Sequence, residues 1–162
     1  MLELEPDVVT LLESDSVILV GTVAADGLAE ASRGWGLTVR TDADPPEVRL
    51  LMPVASARTR ENLEATGRIA ITVTDVETLR SAQVKGRLAR FEPATDADVR
   101  AHERSFAALA DAIHRVEGTD PALFANRKPG PLTAVIATLD EVYDQTPGPA
   151  AGVRLAPTAE PT

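Results

Sequence analysis

Apolar and polar residues alternate with a period of two over several short runs of this chain, and helical spacing takes over in only a few places. Residues 17–23 (Val-Ile-Leu-Val-Gly-Thr-Val) form a β-rich run. Ala25-Asp26-Gly27 supplies a turn, and the chain reverses into residues 30–39 as a hairpin. After the turn-forming Asp42-Ala43-Asp44-Pro45-Pro46, residues 48–53 read as a third strand. Ser56 is placed to cap a helix running through Ala65, with Gly67 just past its end. Residues 69–73 and 83–91 return to strand, joined by a short connection over 75–81.

The longest helix opens at Thr95-Asp96-Ala97-Asp98 and ends near Gly118, with Val99, Phe106, Leu109, Ile113 and Val116 along one face. Residues 7–14 make a shorter helix that turns Val8, Leu11 and Leu12 to one side. Residues 133–139 form the last strand. Six short strands interleaved with two helices, and no βαβ crossover, predict a mainly β fold with α elements. A small six-stranded antiparallel barrel with flanking helices fits best, since closure removes exposed sheet edges. Residues 1–154 are expected to form one domain, and 155–162 a disordered tail.

At 162 residues, a chain of this length buries roughly 70% of the surface its unfolded form exposes. A net charge of −9 excludes a general nucleic-acid binder and an anionic membrane surface as partners. Positive charge is nevertheless available locally, almost all of it as arginine, because Lys85 and Lys128 are the only lysines. Arginine presents a planar fork that grips phosphate in two places, where lysine is a point charge. Cysteine is absent, which excludes disulfides, thiolate metal sites and thiol nucleophiles. Without an 18-residue apolar run or a basic leader before residue 6, a cytoplasmic protein with no membrane span is expected.

Side chains with nucleophile or metal-ligand spacing are missing as well. His102 and His114 stand twelve residues apart on the long helix and read as packing or surface residues. Two stretches offer something different. Arg33-Gly34-Trp35-Gly36-Leu37-Thr38 lies on a strand, where alternation places Arg33, Trp35 and Leu37 on one face and Gly34, Gly36 and Thr38 on the other. Glycines within a strand often mark the close approach of a ligand or another backbone. Ser56-Ala57-Arg58-Thr59-Arg60 opens a helix, where free backbone N–H groups and the helix dipole favour an anion. Met52-Pro53 precedes that turn, and Gln83-Val84-Lys85-Gly86 follows on a later strand.

This order of strand arginine, basic helix start and strand glutamine resembles the pyridoxamine 5'-phosphate oxidase-like split barrels over roughly residues 14–143. The resemblance implies a Greek-key split β-barrel that binds flavin mononucleotide (FMN) at the interface of a homodimer. It further implies that the flavin runs along Arg33, Gly34, Trp35, Gly36, Leu37 and Thr38, and past Met52 and Pro53. Ser56, Arg58, Thr59 and Arg60 would hold its phosphate, and Gln83 would face its ring. Thr38 stands where the family usually carries lysine. The chain has only Arg154 where pyridoxamine 5'-phosphate oxidases carry several C-terminal substrate-binding arginines, so vitamin B6 oxidation is not the expected reaction. An oxidoreductase of unread substrate is the leading expectation. A deazaflavin F420-dependent relative, or a non-catalytic flavin- or haem-binding barrel, are the alternatives. The Pro/Gly-rich segment 144–152 is expected to hug the surface after the last strand.

Overall fold

The computed structural model describes residues 2–155. In chain order the elements are α1 (Pro6–Leu12), β1 (Val17–Val23), β2 (Ala29–Gly34), β3 (Leu37–Arg40), β4 (Glu47–Pro53), α2 (Ala57–Thr66), β5 (Arg68–Thr74), β6 (Ser81–Pro93), α3 (Asp96–Glu117), a 3-10 helix (Pro121–Arg127) and β7 (Leu132–Asp144). All seven strands join one antiparallel sheet in the order β2-β1-β5-β6-β7-β4-β3. Among the described residues no helix is long and apolar enough to cross a membrane.

The expected six strands become seven because the second one breaks at Trp35 and Gly36. Trp35 N donates to Leu51 O at 2.9 Å, and Leu51 N donates to Gly36 O at 2.8 Å. Two residues therefore oppose one, which is a β-bulge. Before the bulge the chain pairs with β1, and after it with β4. One kinked strand thus belongs to both edges of the sheet and forces it to curl into the split-barrel shape, although the ladder itself is not closed. The bulge also resets the alternation of faces. Gly34 and Leu37 both point inward, so Leu37 does not share a face with Arg33 and Trp35 as simple period-two spacing predicts. A Cβ on Gly34 would lie 2.5 Å from Ile18 Cγ2 and 2.8 Å from Leu50 Cδ1, so side chains of β1 and β4 close over this glycine.

Inward-facing Ile18, Val20, Val48, Leu50, Met52, Ile69, Ile71, Val73, Val84, Val135, Ala137 and Leu139 fill the interior. α1 seals one side with Val8, Leu11 and Leu12. α2 closes the barrel end with polar contacts around the fully buried Leu63, whose burial is worth about 1.5–3 kcal/mol. Thr59 Oγ1 donates to Ser32 Oγ (3.1 Å), Asn62 Nδ2 to Thr22 Oγ1 (3.1 Å) and Thr66 Oγ1 to Val23 O (2.9 Å). Ser56 occupies the N-cap position of α2 but makes no capping bond, while Gly67 ends the helix in the left-handed conformation at φ 66°.

α3 begins with a Thr95–Asp98 capping box and crosses the seam at the bulge. Its expected apolar stripe is only partly covered. Phe106, Leu109 and Ile113 are half-buried, whereas Val99 and Val116 are 41% and 53% exposed. His102, Ala110 and Ala112 are the buried residues of this helix.

Beyond β7 the chain folds back on itself. Asp144 N donates to Val153 O, Gly152 N to Asp144 O and Leu155 N to Val142 O, while Thr146 Oγ1 accepts from Ser81 N. The 144–152 segment is therefore a hairpin laid against the sheet, as its composition suggested. Apart from Leu155, the tail expected to be disordered lies outside the described residues.

At the bulge between β6 and β7, Gly86 is pressed against backbone: a Cβ there would stand 1.9 Å from Thr138 O. Backbone cannot yield as a side-chain end can. Gly86→Ala is therefore expected to cost about 3 kcal/mol or more, measured by chemical denaturation. Gly67→Ala should cost about 1 kcal/mol, from left-handed backbone alone.

Candidate functional site

Antiparallel pairing lines up side chains across the outer face of the sheet. Arg33 pairs with Leu19, Leu19 with Thr72, Thr72 with Gln83 and Gln83 with Tyr143. Residues directly opposite one another point the same way, so these five form one row. With strands about 4.8 Å apart, Arg33 and Gln83 are roughly 14 Å apart along it. Gln83 Nε2 donates to Thr72 Oγ1 at 2.9 Å, which fixes the orientation of the half-buried amide.

The adjacent row is Ala31, Gly21, Ala70, Lys85 and Glu141. Small side chains on β1 and β5 leave a shallow groove of about 360 Å³ here, rimmed by Arg68, Lys85, Arg87 and Glu141. Lys85 Nζ lies 4.5 Å from the Tyr143 ring centroid, and the Tyr143 hydroxyl donates to Glu141 Oε2. That hydrogen bond, with some burial, raises the phenol above its ordinary pKa. The sequence reading gave no role to Lys85, Glu141 or Tyr143. The outward small residues Gly21 and Ala70 on otherwise bulky strands were the available signal.

The N-terminus of α2 stands at the rim of β2, held there by the Thr59–Ser32 bond. Arg58 is 67% exposed, and its Nε lies 3.6 Å from Glu30 Oε2. That distance is too long for a hydrogen bond, so the guanidinium keeps its donors available. Thr59 is buried and its hydroxyl is engaged. Arg60 turns to the other side of α2, stacking 4.2 Å over the Phe91 ring and bonding Glu64 at 2.9 Å.

The sequence-selected residues thus fall into separate groups. Arg33 and Gln83 share the outer row and Arg58 stands by Glu30 at the β2 edge, whereas Ser56 lies with Arg60 and Phe91 on the other side of α2. Gly34, Leu37 and Met52 belong to the core, and Pro53 is half-buried at the end of β4. Trp35, Gly36 and Thr38 turn toward α3. Trp35 sits 5.2 Å under the Arg33 guanidinium, with His102 T-stacked on it at 5.7 Å and Phe106 at 5.8 Å. The buried Trp35 Nε1 has no hydrogen-bond partner. Among the described residues no cluster of three or more His, Asp or Glu side chains could hold a metal ion.

Arg49 fixes α3 over this region. Its Nε and Nη2 donate to both Asp98 oxygens (3.2 and 2.7 Å), and Nη1 donates to Glu92 at 2.5 Å. The hydrogen bond from Arg49 leads the effects that hold the Asp98 carboxyl at about 2, helped by Thr95 and opposed by burial.

No family model and no curated protein matches this chain. Solved structures do match its fold. HupZ of Group A Streptococcus aligns at a TM-score of 0.56 and 17% identity, over 93% of this chain and 100% of that one. A putative pyridoxamine 5'-phosphate oxidase from Lactobacillus delbrueckii aligns at 0.53 and 18% identity, over 87% and 93%. An FMN-binding protein from Syntrophomonas wolfei aligns at 0.51 and 14%, over 84% and 82%. The fold is that of the pyridoxamine 5'-phosphate oxidase-like split barrels.

The Arg49–Asp98 pair gives a signed pH prediction. A carboxyl lowered from 3.8 to about 2 on folding contributes about 2 kcal/mol of stability above pH 4. That contribution is lost as pH falls through the folded value. The stability gap between wild type and Asp98→Asn should be widest at pH 5–7 and shrink between pH 4 and 2. A gap that stays constant to pH 2 would show that Asp98 is not held by Arg49 in solution.

Proposed function

We propose that this protein binds FMN on the outer face of its barrel and works as a flavin-dependent oxidoreductase on a small molecule. The observation that carries this reading is the Arg33–Leu19–Thr72–Gln83 row with the basic N-terminus of α2 at its rim. The donor set suits the cofactor. A dianionic phosphate needs cations and amide donors, which Arg58 and the first-turn N–H groups of α2 supply. A flat ring needs a smooth wall and a few oriented polar groups; Leu19 and the small residues beside it form the wall, and Gln83 is the oriented amide. Proteins called FMN-binding and putative pyridoxamine 5'-phosphate oxidase share the fold, which supports the same reading.

Bound flavin supplies hydride or single-electron transfer, and the chain's task is to hold and orient it. Gln83 is pre-oriented by Thr72, so little side-chain entropy is lost when its free groups meet the ring. Arg33 is steadied by Trp35 beneath it. Glu30 works against the phosphate: its charge beside Arg58 weakens the pull on an anion.

One protomer offers an open wall, whereas small-molecule sites enclose most of their ligand. A homodimer would complete the enclosure. Exposed Leu19 on this face, and Val99, Val116 and Leu123 on α3 and the following 3-10 helix, supply the apolar surface for one.

The test is visible absorption of the desalted protein after FMN is added, followed by titration. Retained flavin bands and a measurable Kd are expected, and a protein that neither retains FMN nor gains thermal stability from it would overturn the proposal. Arg58→Ala should weaken binding by about 1.5–3 kcal/mol, tenfold or more. Glu30→Gln should strengthen it. Equal affinities in both variants would remove α2 from the phosphate site.

A further inference from the structure

A second cavity lies on the other side of the bulge, between α3 and β3–β4. It is a groove of about 540 Å³, within the range of small-molecule sites. Its floor is Gly36, Leu37 and Leu51, and His102 closes one wall. His102 is only 7% exposed, and its Nδ1 lies 2.9 Å from Trp35 O. A carbonyl only accepts, so Nδ1 carries a proton and Nε2 is the ring nitrogen left to meet a ligand. Among the described residues nothing hydrogen-bonds Nε2. Packing against Trp35 and Phe106 holds the ring in this orientation.

The charges facing this histidine come from four elements. The α1–β1 turn supplies Glu13 and Asp15, β2 supplies Arg33, β4 supplies Arg49, and α3 itself supplies Asp98 and Arg104. Most are already committed. Arg49 and Asp98 neutralise each other, Glu13 Oε1 accepts from Val39 N at 2.7 Å, and Arg33 stacks on Trp35. Asp15 and Arg104 remain without an ion pair among the described residues. One acid, one guanidinium and one unbonded imidazole nitrogen thus line a single groove.

The geometry points to a binding site for a small zwitterion of the amino-acid class. Its carboxylate pairs with Arg104, and its ammonium donates to Asp15 and to His102 Nε2. A simple anion would meet Asp15 and Glu13, and a simple cation would leave Arg104 unmatched. The site is built without the flavin, so it stands or falls independently of the cofactor.

The experiment uses the full chain free of flavin, labelled with ¹⁵N-histidine, and follows the ring nitrogens by multiple-bond NMR. The His114→Gln variant assigns the His102 signals. His102 is expected as the Nδ1–H tautomer, with Nε2 shifting saturably on titration with glycine, L-serine or L-phenylalanine. Arg104→Gln and Asp15→Asn should each weaken that binding about tenfold. Both residues are exposed, so neither variant threatens folding. An Nε2–H tautomer, an Nε2 signal that none of the three moves, or equal binding of acetate or methylamine would each overturn the assignment.

Discussion

The β-bulge at Trp35–Gly36 is the constraint on which the rest of this structure depends. Leu51 bonds both residues of the bulge, so the strand turns without leaving the ladder. That turn carries one strand from β1 to β4 and packs Gly34 against the side chains of both Ile18 and Leu50. Only glycine leaves room there. The same turn lifts Trp35 out of register and gives α3 a ring to pack on and a carbonyl to bond. The core, the seam and the placement of the long helix are consequences of one extra residue.

Polar chemistry is distributed around this frame in a physically sensible way. The interior is aliphatic except at the barrel end, where α2 enters with each hydroxyl or amide matched to a partner. Leaving any of these unpaired would cost about 1–3 kcal/mol, which makes the closed end a poor place for a ligand. The outer wall of β1, β5 and β6 has the opposite character. Its small residues, its fixed amide and its exposed cations are open to an incoming molecule.

The two candidate sites lie on either side of the bulge and share its residues. Arg33 faces the outer wall, Trp35 lies under it, and the Trp35 carbonyl orients His102 toward the groove. Arg49 holds the start of α3, so it sets the groove's width without entering the stacked trio.

Much of this was legible in the sequence. Alternation in residues 17–23, 48–53 and 69–73 located strands, Gly67 and Gly118 ended helices, and the order of elements implied a split barrel, because local pattern reports local geometry. The start of α2 and its arginines were legible for the same reason, since a helix start and the residues of its first turn are neighbours in sequence. What followed from tertiary structure was which side chains share a face. A bulge depends on the partner strand, so nothing within Arg33–Thr38 reveals that Leu37 turns inward while Arg33 stays outside. The outward apolar positions of α3 looked like core spacing until the helix was seen lying across a seam that covers only half of it. The row from Arg33 to Tyr143 joins positions more than a hundred residues apart, and strand register, a property of the folded sheet alone, is what places them side by side.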